Sequence, residues 1–114
     1  MQCFINIFNN SKDALVENDI KEKIIIISTT SDNENVVIKI KDNAKGIPID
    51  IISKIFDPYF TTKHKSQGTG LGLNMTYKLI TEGMNGKIIA QNQNYLYNNT
   101  EYMGAEFIII LPLI

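Results

Sequence analysis

Residues 23–41 read KIIIISTTSDNENVVIKIK, and no other stretch limits the fold so sharply. Two runs rich in β-branched residues, Lys23 to Thr30 and Val36 to Lys41, are split by SDNEN, a cluster of turn-forming Ser, Asp and Asn. The second run alternates apolar with polar residues, the pattern of a half-buried strand. Together they predict a β-hairpin. An isolated hairpin is marginal in water, so the rest of the chain must supply more strands and a covering layer.

From Gln2 to about Val16, Phe4, Ile7, Phe8, Ala14 and Leu15 recur at steps of three and four, which predicts an amphipathic helix. Ile49 to Phe56 reads as a short helix opened by Asp50. Leu71 to about Thr81 reads as another, with Leu71, Met75 and Leu79 on one side and EGMNG as its end. Gly86 to Tyr97 and Ala105 to Leu111 read as strands joined by the polar NNTEY, and Asp57 to Gly68 as a long loop. The order predicts a single α+β domain over residues 1–114, with helices on one face of a mostly antiparallel sheet.

Of 114 residues, 44% are hydrophobic, enough for one core, and the formal net charge of −1 gives no reason to expect nucleic acid as a partner. The apolar runs KIIIIS and FIIILPLI are too short to cross a membrane. No signal peptide is visible, and the single cysteine, Cys3, excludes an internal disulfide and fits a reducing, cytoplasmic setting.

Three stretches carry candidate chemistry. Asn6 and Asn10 share a helix face, with Asp13 one turn on. This is either a solvated polar face or a metal–phosphate face, since an amide oxygen is a hard neutral ligand that suits Mg²⁺. In KDNAKGIP, Asp42 closes a strand and Gly46 follows four residues later. This is either a plain turn or a carboxylate that accepts an exocyclic amine while Gly46 lets a flat ring approach the backbone. In KSQGTGLGL, the amides of a glycine-rich turn entering a helix make an anion site, with Lys63 and Lys65 just upstream. The alternative there is an ordinary surface loop.

Taken in order, NIFNNSKDAL, DNAKGIP, IFDPYFTTK and GTGLGL resemble the N box, first glycine box, phenylalanine box and second glycine box of the sensor histidine kinase catalytic domain, in the gyrase–chaperone–kinase superfamily. The resemblance implies the Bergerat ATP-binding fold, a two-layer α/β sandwich with a mostly antiparallel mixed sheet. It implies ATP and Mg²⁺ as cofactors. Asn10 would ligate the metal, with Asp13 nearby. Asp42 would bond the adenine amine, and Gly46 and Ile47 would admit the ring. Phe56 and Phe60 would anchor a lid over the phosphates. Thr62, Lys63 and His64 would approach the phosphates, and Gly68, Thr69, Gly70, Leu71, Gly72 and Leu73 would close over them. His64, the only histidine, reads as a lid residue and not as the phosphoacceptor.

The chain departs from the family pattern in three places. Ala44 stands where glycine is usual, a strained choice if that position needs φ > 0. Asn6 occupies the position of the general-base Glu of ATP-hydrolysing relatives, and an amide cannot take a proton from water at neutral pH. The chain starts inside the N-box helix, without the family's first strand or its dimerising phosphoacceptor hairpin, as a fragment or a truncated product would.

The expected activity is ATP:protein-histidine phosphotransfer in two-component signalling. Its expected partners are the parent's helical hairpin and a response-regulator receiver domain, in the cytoplasm or at the inner face of the membrane. The alternatives are a non-catalytic ATP-sensing module and a serine kinase of the anti-sigma-factor type.

Overall fold

The computed structural model describes residues 2–57 and 72–113. Helix α1 (Gln2–Glu17) leads into strands β1 (Ile25–Ser31) and β2 (Asn35–Asp42). The short helix α2 (Ile49–Ile52), helix α3 (Gly72–Lys78), and strands β3 (Lys87–Tyr97) and β4 (Thr100–Pro112) follow. The four strands form one sheet in the order β1-β2-β4-β3. All three of its pairings are antiparallel, so the described sheet is not mixed.

The cross-strand register builds the core. Ile40, Phe107 and Ala90 oppose one another in a row across the sheet, which the exposed Ile27 ends on β1, and Ile38, Ile109 and Ile88 form the next. Phe107, Ile40 and Ile109 are fully buried there with Ile7 of α1 and Ile80. Each such side chain contributes roughly 1.5–3 kcal/mol on burial. The opposite face carries the row Lys41, Glu106 and Gln91, in which Gln91 Nε2 donates to Glu106 Oε1 at 2.7 Å.

α1 buries Ile7, Ser11 and Leu15, one residue per turn. It ends where Asp19 turns to φ 52°, with Ile20 N donating to Leu15 O and Asp19 N to Val16 O. These two bonds are the Schellman pattern that satisfies the last carbonyls of a helix.

The structure revises three expected elements. The helix expected over residues 49–56 stops at Ile52. Turns closed by Lys54 N to Ile51 O and Asp57 N to Lys54 O carry the chain on, consistent with a β-branched run that is a weak helix former. In α3 and the wider turn Leu79–Gly83, the side with Met75 and Leu79 is exposed, while Thr76 and Ile80 are buried. The last strand starts at Thr100 and not at Ala105. Asn98 and Asn99 both have positive φ, 52° and 64°, the two-residue turn whose twist suits a hairpin.

Candidate functional site

Asp42 ends β2 on the helix-covered face, and its carboxyl is buried. The Ala44 and Ala105 amides both donate to its Oδ1, at 3.0 and 3.1 Å. The Tyr95 hydroxyl donates to the Asp42 carbonyl at 2.6 Å. Burial pushes the carboxyl above its ordinary range, and the two amides and the nearby Ser11 hydroxyl pull it back. Ser11 Oγ is itself buried and makes no hydrogen bond of normal geometry. Tyr95 is pushed up to about 12, first by burial and then by the charge of Asp42, so its hydroxyl stays a donor.

The loop after Asp42 is tied at both ends. The Asn43 side chain accepts from Ile24 N at 3.0 Å and donates to Glu22 O at 2.6 Å. Asn92, on β3, makes a two-way amide pair with Ile47, accepting from its N at 2.7 Å and donating to its O at 2.8 Å. Between these ties the chain passes through Lys45 at φ 72° and Gly46 at φ 89°. A Cβ on Gly46 would stand 2.7 Å from Asn92 Oδ1, so this glycine is required both by its dihedral and by its neighbour. Ala44 is buried and has no positive φ, so the strain anticipated there falls on Lys45 instead.

On α1, Asn6 Nδ2 donates to Thr76 Oγ1 at 3.1 Å and ties the helix to α3. Asn10 and Asp13 are half-buried one and two turns further on. Phe56 packs its ring at 5.5 Å from that of Tyr77 and edge-on at 6.3 Å from that of Phe107. Asn74 Nδ2 donates to Phe56 O at 2.9 Å, and Leu73 is half-buried against the same core. Gly72 opens α3. Phe60, Thr62, Lys63, His64, Gly68, Thr69, Gly70 and Leu71 lie outside the described residues.

Asp42, Gly46 and Ile47 therefore share one loop, and Asp42 lies beside the Ser11 turn of α1. Sequence reasoning missed Ser11, Asn92, Tyr95 and Gly104. Gly104 would have carried a usable signal had the last strand been read from Thr100, since a glycine inside a strand marks close backbone approach. The donors present fit an adenine nucleotide with Mg²⁺: a buried carboxyl with both of its amide bonds on one oxygen, and a neutral amide oxygen at Asn10 for a cation that keeps waters and phosphates as its other ligands. No helix among the described residues is long and apolar enough to cross a membrane.

Residues 1–114 match the family described as histidine kinase-, DNA gyrase B-, and HSP90-like ATPase. The chain is 42% identical over 78 residues to the sensor kinase CckA of Brucella abortus, a match covering 68% of this chain and 7% of that protein. It is 34% identical over 115 residues to the two-component sensor PprA of Pseudomonas aeruginosa, covering 98% of this chain and 12% of the relative. The solved catalytic domain of histidine kinase ThkA, nucleotide-free, superposes with a TM-score of 0.64 at 30% identity, covering 92% of this chain and 66% of that one. The chain thus spans about a tenth of the length of these two curated relatives.

Proposed function

The chain belongs to the histidine kinase-, DNA gyrase B-, and HSP90-like ATPase family, and from that membership we propose that it binds Mg-ATP and supplies the γ-phosphoryl group that phosphorylates a histidine on a separate dimerisation domain. The observation that carries this reading is the buried Asp42 carboxyl, held through Oδ1 by two backbone amides. Oδ2 is then the acceptor for the 6-amino group of adenine. Gly46 and Ile47 border the ring, on a backbone that Asn92 holds in place. Asn10 supplies the metal-facing oxygen, with Asp13 one turn beyond. Bound Mg²⁺ would neutralise phosphate charge during transfer.

Asn6 fits phosphoryl transfer better than hydrolysis. Its amide is committed to Thr76, and an amide offers water no base. Phe56, wedged between Tyr77 and Phe107, anchors the start of the segment that the reading assigns to a lid. In two-component signalling the partners are the parent's phosphoacceptor hairpin and a receiver domain, and the setting is cytoplasmic.

Calorimetric titration tests the reading. The chain should bind ATP and strongly reject GTP, because the carboxylate faces an acceptor oxygen on guanine. Asp42→Ala should lose roughly 2–3 kcal/mol of ATP binding, the scale of a hydrogen bond to a charged group. Equal affinity for the two nucleotides would refute it.

A further inference from the structure

β3 forms one edge of the described sheet, and its register with β4 is unbroken from Lys87 to Tyr97. Asn98 and Asn99 make the tight turn between the two strands, so Tyr97 and Thr100 are its hydrogen-bonded closing pair. Bonded and non-bonded pairs alternate from there. The odd-numbered residues of β3 therefore spend their backbone groups on β4. Ile88, Ala90, Asn92, Asn94 and Leu96 aim theirs off the edge, and among the described residues no backbone group outside the strands meets them. Natural sheet edges are guarded by charges, prolines or bulges. Residues 88–97, IIAQNQNYLY, contain no charged residue, proline or glycine, and their ladder has no bulge. The strand also leaves large apolar side chains in solvent, with Leu96 72% and Ile89 45% exposed.

We propose that the β3 edge binds a second copy of this chain, strand against antiparallel strand, and joins two four-stranded sheets into one. Asn92 is the midpoint of β3 and one of its outward-facing residues, so the strand overlaps its own copy along its whole length about a two-fold axis at Asn92. Asn92 then exchanges backbone bonds with Asn92 of the copy, Ala90 with Asn94, and Ile88 with Leu96, which covers the exposed leucine. On the other face of the sheet Ile89 meets Tyr95 of the copy, and the Lys87 ammonium meets the Tyr97 ring. The strand is thus complementary to itself in backbone and in side chains, which favours a second copy over an unrelated extended peptide. This pairing is independent of the nucleotide reading above.

Sedimentation equilibrium on the wild type, Asn94→Pro and Leu96→Lys over a range of concentrations tests the proposal. The wild type should reach a dimer and no larger species. Asn94→Pro removes an outward donor that the ladder with β4 does not use, so the fold should survive it. It should raise the dimer dissociation constant at least about 10-fold, because the symmetry deletes the bond twice. Leu96→Lys changes an exposed side chain, guards the edge with charge and should weaken the dimer to a similar extent. It carries the test alone if circular dichroism shows that Asn94→Pro is not folded. In hydrogen exchange of the wild type, the amides of Ile88, Ala90, Asn92 and Leu96 should gain protection as concentration rises, while those of Ile89, Gln91 and Gln93 are protected throughout. A wild type that stays monomeric up to about 1 mM would overturn the proposal. So would a folded variant that associates as tightly as the wild type, or protection gained on another strand. Species growing beyond the dimer would show open pairing of β3 with β1 and overturn it as well.

Discussion

Gly104 lies so close to Asp42 that a Cβ atom on it would overlap the Asp42 carbonyl and stand 2.8 Å from Oδ1. The missing side chain lets β4 reach the end of β2, so that the Ala105 amide can meet the carboxyl. Gly104→Ala must push the two strands apart, because the obstacle is backbone and cannot rotate away. Overpacking costs roughly 1–3 kcal/mol, and this substitution should fall at the upper end or beyond. Urea unfolding measures the loss, and ATP titration of the folded fraction should show weakened binding. Wild-type stability together with wild-type affinity would refute the contact.

Tyr95 supports the same strand end from the other side. Tyr95→Phe keeps the ring that packs against Tyr102 and under the Lys41 ammonium, 4.4 Å from its centroid. It removes only the hydroxyl bonded to the Asp42 carbonyl. The expected loss is about 1–2 kcal/mol, since a buried carbonyl is left without its donor. Because the hydroxyl keeps its proton up to about pH 12, the loss should be the same at every ordinary pH. Denaturant melts of the two proteins in acid and in mild base check both statements.

What was legible in the sequence were the patterns that repeat. The period of α1, the β1–β2 hairpin and the four motif stretches are local, and they placed Asp42 and Gly46 on one loop. What was hidden depends on residues distant in sequence. Asn92 meets Ile47 across 45 positions, and Ala105 meets Asp42 across 63. No periodicity encodes either bond. The NNTEY stretch read as loop because Asn and Thr favour turns, yet only Asn98 and Asn99 leave the ladder and Thr100 already pairs with Tyr97. In α3 the apolar spacing chose the wrong side, because the buried position opposite α1 is Thr76, whose hydroxyl accepts from Asn6.

The loop after Asp42 places its strain one residue later than the glycine pattern suggests. Lys45 sits at φ 72°, where a side chain costs about 1–2 kcal/mol relative to the right-handed region. Asn tolerates this region better without the unfolded-state entropy of glycine. Lys45→Asn should therefore stabilise the chain by about 0.5 kcal/mol or more. Ala44, with no positive φ and its side chain buried, should respond in the opposite sense. Ala44→Gly should destabilise by about 0.4–1 kcal/mol through the freer unfolded chain. Parallel thermal melts of the two variants decide the matter, and a gain from Ala44→Gly would return the strain to position 44.

The buried carboxyl of Asp42 should leave a mark on stability against pH. Burial raises its folded-state pKa above the ordinary 3.8. A group raised in this way binds its proton more tightly in the folded chain than in the unfolded one. Its contribution is fully present below 3.8 and is lost as pH rises through the folded value. At neutral pH the ionised carboxylate is therefore a cost to the free protein. Asp42→Asn cannot ionise, and its amide oxygen can still accept from the Ala44 and Ala105 amides. The melting temperature of Asp42→Asn minus that of the wild type should rise from about pH 4 upward and level off once the wild-type carboxyl is fully charged. The same variant should lose ATP affinity, because its remaining side-chain nitrogen presents a donor to the donor amine of adenine. A difference that stays flat across this range, or falls as pH rises, would mean that Asp42 is not raised by burial and that the end of β2 is more open than its side-chain packing indicates.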